Sequence, residues 1–278
     1  MRLSEEQVRT YEQDGFLFLS NYYTDAEVGV MKAELLKVFN EDTPKRVLEK
    51  ERGFVRSVYG SHMTNEVFHE LSRHPRIVEP ARQLLGSDVY VYQFKINAKA
   101  AFGGDVWEWH QDYIFWQKED GLRSDRLASV VIFLDDVNEF NGPMFLIPGS
   151  HTEGVIDRSA QPLDGVLRYQ VYENSPAWIS NLTADLKYSL DRDTVGHLVG
   201  KYGLFAPKGP AGSAIFFHSN LVHASSNNIS PFDRTVVIVT FNSVENVPAW
   251  RENARPDFLV GRDVAPIVPV MDNALLQR

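Results

Sequence analysis

The chain reads as mainly β with flanking helices, an antiparallel sandwich or barrel, and three observations lead there. From Asp88 onward five β-rich runs, VYVYQFKIN, RLASVVIFLDDV, GPMFLIPGS, GSAIFFHSN and RTVVIVTFNSV, follow one another with turns between them and no alternating helices, a texture of antiparallel rather than parallel α/β sheets. The first 40 residues carry two helix-start signals. And 278 residues without a cysteine can bury a full core with no disulfide or thiolate-bound metal. One domain is expected: helical support over residues 1–87, a β core over 88–246 with an insertion at about 152–203, and a tail over 247–278.

The elements follow in order. Ser4 with Gln7, and Thr24 with Glu27, are Ser/Thr-x-x-Glu/Gln boxes that satisfy orphan amides at a helix start. Between them GFLFLSNYY, from Gly15 to Tyr23, has strand length and composition. After Thr24, Val28, Met31, Leu35 and Phe39 recur at helical spacing. A third helix is expected over Asn65 to Leu85, with Pro75 and Pro80 as points of punctuation. The five β runs come next, interrupted between His151 and Gly203 by a polar, aperiodic stretch in which Ser180 to Leu190 reads as helix or loop. An insertion of that length is the kind that serves as a lid. After Asn246 the Pro- and Arg-rich sequence reads as an irregular wrap over the surface or over a site.

Composition narrows the function. Without cysteine there is no thiolate zinc finger, iron–sulfur cluster or cysteine nucleophile, so any metal is held by His, Asp, Glu or backbone oxygen. The net charge of −9 without a Lys/Arg block speaks against nucleic acid or an anionic membrane as partner. The start lacks a signal-peptide pattern, and no apolar run approaches the roughly 18 residues that span a bilayer. A cytoplasmic protein acting on a small molecule, a monomer or small homo-oligomer, is expected. Sequons at Asn181 and Asn228 read as chance matches.

The local signal for chemistry is WEWHQDYIFW. On an extended strand His110 and Asp112, two apart, point to one face and offer an imidazole and a carboxylate to one cavity. A later stretch offers His218 and His223, then Arg234 at the head of the run TVVIVTF. Two His and one carboxylate match the facial triad that leaves three positions open on non-haem Fe(II). Arg234 leading into an apolar strand is costly to bury unless it has an anion to grip, and a carboxylate suits its fork. On an ideal strand Trp107 and Trp109 share parity with each other but not with the His–Asp pair, and Trp116 faces the site only if the strand persists.

These residues carry a resemblance to the phytanoyl-CoA dioxygenase family over nearly the whole chain: QVRTYEQDGFLFL at the start, the HQD, the NGPMFLIPGSH block and the ten-residue interval between His223 and Arg234. Within the family the chain is similar to ectoine hydroxylases, through QFKIN, W-H-x-D and the NISPF-x-R end. It is more similar to bacterial L-leucine 5-hydroxylases that act on the free amino acid, through RSVYGSH, YQFKINAKAAFGGDVWEWHQDYIFW, EFNGP and GRDVAPIV. The resemblance implies a double-stranded β-helix, a cupin-like jelly roll. It implies Fe(II) on His110, Asp112 and His223, 2-oxoglutarate held through its distal carboxylate by Arg234, and O2 as oxidant. It selects His223 over His218. It further implies polar cosubstrate contacts from Asn97, Ser129 and Gln93, a substrate side lined by Gln93, Trp116 and Trp107, and a substrate-facing loop whose Arg56, Tyr59 and His62 grip an amino-acid carboxylate.

Blander roles are expected for the other candidates. His69, His74, His151 and His197 read as structural histidines, and the Asp135–Asp136 pair as a solvated turn. The activity implied is hydroxylation of an unactivated C–H bond of a free aliphatic L-amino acid, L-leucine at C5 first, yielding succinate and CO2. Asp112 favours hydroxylation over halogenation, because related halogenases leave that position empty for chloride. The alternatives are another small zwitterion such as an ectoine, a natural-product intermediate, or a non-catalytic jelly roll that only binds metal.

Overall fold

In a computed structural model, which describes residues 2–49, 53–157, 178, 182, 186–249 and 254–277, the two capping boxes start the first two helices. Helix α1 (Glu5–Asp14) opens with Gln7 N–H donating to Ser4 Oγ at 3.2 Å and Ser4 N–H to Gln7 Oε1 at 2.8 Å. Helix α2 (Asp25–Asn40) repeats the device with Thr24 and Glu27. Between them the expected strand shortens to β1 (Phe16–Leu19). The helix expected over Asn65–Leu85 is two, α3 (Glu66–Ser72) and α4 (Pro75–Leu85). The break precedes Pro75, which lacks an amide hydrogen and bars α geometry at His74. Pro80 is tolerated inside α4 because Arg76 O, the carbonyl it deprives of a donor, accepts Tyr22 Oη–H at 2.6 Å.

A seven-stranded antiparallel sheet has the order β1-β8-β6-β10-β4-β3-β2, and a three-stranded sheet the order β5-β9-β7. The members are β2 (Arg46–Leu48), β3 (Val55–Tyr59), β4 (Val89–Lys99), β5 (Trp107–His110), β6 (Leu127–Phe133), β7 (Met144–Leu146), β8 (Ala214–His218), β9 (His223–Ser225) and β10 (Arg234–Ser243). The five β runs are present, β5 answers part of the strand expected within WEWHQDYIFW, and β2, β3 and β9 join them unforeseen. Strands β1 to β3, from the first 87 residues, pair within the large sheet.

The outer face of that sheet, Phe94, Ile96, Val130, Ile132, Val237 and Val239, packs in one cluster with Met31, Phe68, Leu71 and Ile77 of the helices. The inner face, Val131, Phe133, Ile215, Phe217, Val236 and Ile238, packs against Met144 and Leu146 of the small sheet. Strands β6 and β10 are therefore covered on both sides, which is why they read as continuous apolar runs rather than alternations. Burying the apolar faces of two sheets and four helices is the dominant favourable contribution to the fold.

The stretch read as aperiodic contains helix α6 (Arg192–Tyr202), whose Asp191 cap accepts Thr194 N–H at 2.8 Å. Within Ser180–Leu190, residues 180, 181 and 183–185 lie outside the described residues, and with them the sequon at Asn181. Asn228 is 3% exposed and engaged through Nδ2 with Lys99 O and Phe232 O, so that sequon is structural. The tail runs beside β4, with Gly261 N–H on Tyr92 O at 2.7 Å and Ile267 N–H on Val89 O at 3.0 Å. A Cβ on Gly261 would sit 2.1 Å from Val91 O, so only glycine permits this approach.

Candidate metal centre and its cavity

The ligand atoms of His110, Asp112 and His223 lie within 4.8 Å of one another, and all three residues are buried. His110 ends β5 and stands opposite His223, the first residue of β9. The expectation that His110 and Asp112 share one strand is corrected. Gln111 is the last extended residue, and Asp112 opens a short helix, α5 (Asp112–Phe115). Convergence comes from this strand-to-helix switch, which Gln111 pins by donating to Gly154 O and Asn220 O, each at 2.7 Å, and accepting Ile156 N–H at 2.8 Å.

Both histidines are oriented by their backbone. His110 Nδ1 lies 2.6 Å from Glu108 O, and His223 Nδ1 lies 2.9 Å from Leu221 O. A carbonyl only accepts, so each Nδ1 carries the hydrogen and each Nε2 keeps its lone pair for a metal. Burial pushes the His223 imidazolium down to about 4, so that ring is neutral at physiological pH. Burial alone would raise the Asp112 carboxyl, but the charge of Lys95 and the neighbouring rings of His110 and His223 outweigh it and hold the carboxyl well below the ordinary range. Asp112 Oδ2 is buried without a hydrogen-bond partner among the described residues. An ionised carboxylate with an orphaned oxygen beside two presented imidazole nitrogens is the donor set a divalent first-row metal needs, in the protonation state it needs.

The triad borders a cavity with two halves, to both of which Lys95, Trp107, His110 and Asp112 belong. One half reaches Asn97, Met144, Phe217, Ser225 and Arg234. Arg234 is 3% exposed and donates through Nε to Gly142 O at 3.0 Å, and through Nη2 to the same oxygen. Burial lowers its guanidinium to about 10, partly opposed by Asp135, so it stays charged, yet no ion pair to it occurs among the described residues. Gly142 has φ +80°, and a Cβ there would lie 2.6 Å from Lys99 Cδ. The Asn97 Oδ1 is also buried without a partner among the described residues.

The other half is bordered by Tyr59, Gln93, Phe115, Trp116, Leu186 and Arg255. Gln93 belongs here and not to the Arg234 half, with Nε2 donating to Leu259 O at 2.9 Å. Trp116 faces the cavity although the strand does not persist, because it lies four residues beyond Asp112 on one helical face. Trp107 faces it because an irregularity between Trp107 and His110 breaks the ideal alternation. Trp109 points away and stacks with Phe145 at 6.4 Å. Arg255 is gripped by Asp120, Nε to Oδ1 at 2.8 Å and Nη2 to Oδ2 at 2.5 Å, and the same carboxylate accepts Tyr92 Oη–H.

Three expected contacts lie elsewhere. Arg56 borders neither half, because its guanidinium is taken up by Glu49 and Val106 O. His62 packs on the opposite side of β4, stacked on Phe94 at 5.1 Å, where it borders a separate ≈ 580 Å³ cavity with Arg73 and Val268. Ser129 lies on the inner face but spends its hydroxyl on Thr240 at 2.9 Å, outside the cavity's border. His218 is held by Asn220 N–H at 3.0 Å and packs with His151, 5.2 Å between rings, rather than joining the triad. Asp135 and Asp136 accept the amides of Thr235 and Ala211, both distant in sequence, rather than forming a carboxylate dyad.

Sequence reasoning missed Lys95, Phe115 and Arg255. Lys95 had a signal: Gln93, Lys95, Asn97 and Lys99 alternate with Phe94, Ile96 and Ala98, so a polar stripe faces inward along β4. Arg255 had none, since nothing local in the tail tells which way it folds.

Comparison with known proteins fits this geometry. A family model described as phytanoyl-CoA dioxygenase matches residues 11–236. An L-proline trans-4-hydroxylase of Streptomyces griseoviridis is 41% identical over 96% of this chain and 96% of its own. An ectoine dioxygenase of Bordetella bronchiseptica is 35% identical over 99% of this chain and 87% of its own. The crystal structure of EctD from S. alaskensis with 2-oxoglutarate and 5-hydroxyectoine superposes with a TM-score of 0.79 at 28% identity, covering 97% of this chain and 87% of that one. The carbocyclase SnoK, 21% identical with a TM-score of 0.68, shares the fold.

Proposed function

The chain belongs to the phytanoyl-CoA dioxygenase family, and from that premise we propose that it is an Fe(II)- and 2-oxoglutarate-dependent dioxygenase that hydroxylates a free aliphatic L-amino acid, L-leucine at C5 first. The coarser reading is a hydroxylase of a small amino-acid-like molecule, the class to which the names of its relatives point. The observation that carries it is Arg234: a buried, charged fork without an ion-pair partner among the described residues, bordering the same cavity as the triad. Burying an unpaired cation is unfavourable, and a dicarboxylate that reaches from metal to guanidinium removes the penalty.

His110, Asp112 and His223 are assigned as ligands of the iron, and Arg234, with Asn97 beside it, as the grip on the distal carboxylate of 2-oxoglutarate. When bound, Fe(II) with 2-oxoglutarate and O2 supplies the oxidation, in which the cosubstrate leaves as succinate and CO2 and a C–H bond becomes C–OH. The protein's work is placement. Arg255, charged and preset by Asp120, suits the amino-acid carboxylate, while Tyr59 and Gln93 supply polar edges. Phe115, Trp116 and Leu186 form an apolar wall that excludes water and lets an aliphatic side chain lie toward the triad.

The test is a panel of L-leucine, L-isoleucine, L-valine, L-proline and ectoine with Fe(II), 2-oxoglutarate and air. Leucine is expected to stimulate succinate most and to gain one oxygen at C5. Stimulation by proline or ectoine alone would reject leucine while keeping the enzyme class, and no stimulation by any of them would reject the substrate class.

A further inference from the structure

Trp107 borders both halves of the cavity, and a buried ion pair outside the cavity holds it. The Arg56 guanidinium lies over the indole with Cζ 3.9 Å from the ring centroid. Its Nη1 donates to both oxygens of Glu49 at 3.1 Å, and its Nη2 donates to Val106 O at 2.8 Å. Glu49 Oε1 also accepts the Asp105 amide at 3.1 Å. One pair thus grips the ring and the backbone of the two residues before it. Arg56 and Glu49 are 1% and 8% exposed. Stability is a poor reason for such a pair, since a buried ion pair is commonly replaced by apolar residues without loss. Geometry is a better one: a planar guanidinium stacks flat on an indole and still has edges free for a carboxylate and a carbonyl, which an ammonium cannot reproduce.

We propose that Arg56, set by Glu49, is a positioning residue that fixes the Trp107 indole as the wall common to both halves, so that amino acid and 2-oxoglutarate are seated against one rigid surface and consumed in step. The assignment rests on the reading of the two halves given above. Strand β3 then serves the site twice, bordering the substrate half with Tyr59 and bracing the common wall with Arg56.

Two measurements test it. Acrylamide quenching of tryptophan fluorescence, compared between the unaltered protein and Trp107→Phe, isolates the Trp107 emission without metal or substrate. Arg56→Lys is expected to make that emission about twofold more quenchable or more, and an unchanged quenching constant would overturn the proposal. With iron, 2-oxoglutarate and whichever panel member the unaltered enzyme hydroxylates, Arg56→Lys is expected to lower product formed per succinate about threefold. The KM for the amino acid should rise about tenfold while that for 2-oxoglutarate moves less than about twofold. In a Trp107→Ala background the same change is expected to add nothing, because Arg56 acts through the ring. Effects that multiply in the double variant, or a lower thermal midpoint with unchanged coupling and KM, would make Arg56 merely structural. If Arg56→Lys does not fold, Glu49→Gln takes its place in both measurements with the same criteria. If no panel member is turned over, the substrate reading fails and the quenching result still decides the clamp.

Discussion

Arg234 shows how a single residue divides stability from function. Its charge is buried at the head of β10 with the Gly142 carbonyl as its only hydrogen-bond partner among the described residues, so without the carboxylate proposed for it the guanidinium is a burden on the fold. Arg234→Met is therefore expected to leave the thermal midpoint of the ligand-free protein unchanged or higher while abolishing 2-oxoglutarate binding by calorimetry. A large drop in midpoint would mean that the guanidinium braces the fold. Arg234→Lys keeps the charge but loses the fork, so the KM for 2-oxoglutarate should rise by roughly ten- to a hundredfold, about 1.4 to 3 kcal/mol, with a smaller change in kcat. His223→Ala removes a neutral imidazole whose Nε2 faces the other two ligand atoms. Turnover should vanish, and iron content after reconstitution should fall; full turnover would reject the ligand assignment.

At the scale of elements, the signals that were legible are those written within a few consecutive residues. The boxes at Ser4 and Thr24 start α1 and α2 as expected, because the partner three residues on is all that a cap requires. Thr24→Ala should cost about 1 kcal/mol, read as a lower urea midpoint with unchanged slope. The loss should be at the upper end of that scale, since Glu27 also binds Arg76 at 2.6 Å and so ties α2 to α4. Strands β6 and β10 were legible for a similar reason, being long apolar runs. Strands β2 and β9 were not: three residues carry no period, and they are strands only because a neighbour lies alongside. The same limit hid how the triad converges. His110 and Asp112 were visible as a pair, but the turn into α5 between them depends on Gln111 reaching Gly154 and Asn220, contacts that no local pattern announces.

For the whole molecule the buried histidines set a response to acid. Burial first, with neighbouring cationic groups, lowers His62 to about 4, and burial lowers His218 to about 4 against the pull of Asp125. In the unfolded chain these rings titrate near the ordinary value of about 6.5. Between those limits the unfolded chain takes up protons that the folded chain refuses, so stability falls as pH drops from about 6.5 to about 4 and is flat above. The urea midpoint should be lower at about pH 5 than at about pH 7.5, and His62→Phe, which keeps the stack on Phe94, should reduce the difference. A midpoint independent of pH across that window would contradict the buried, neutral state of these rings. Neither ring's surroundings could be read from the sequence, because His62 is enclosed by a sheet face and His218 by His151, nearly seventy residues away in the chain.

The two halves of the cavity are built differently, and this bears on how such an enzyme changes over evolutionary time. The Arg234 half is walled mainly by paired strands, β4, β7, β9 and β10, whose outer faces or neighbours are committed to the core. Apart from Gln93 of β4 and the residues it shares with the first half, the Arg255 half is assembled from the end of β3, the turn after Asp112, Leu182 and Leu186, and the tail, segments that tolerate replacement far better than a central strand. On the proposed assignment of the two halves, mutation can therefore remodel the substrate wall while the cosubstrate wall stays fixed. A single scaffold can in this way pass from one amino-acid-like molecule to another by exchanging loops, with the oxidising half inherited intact.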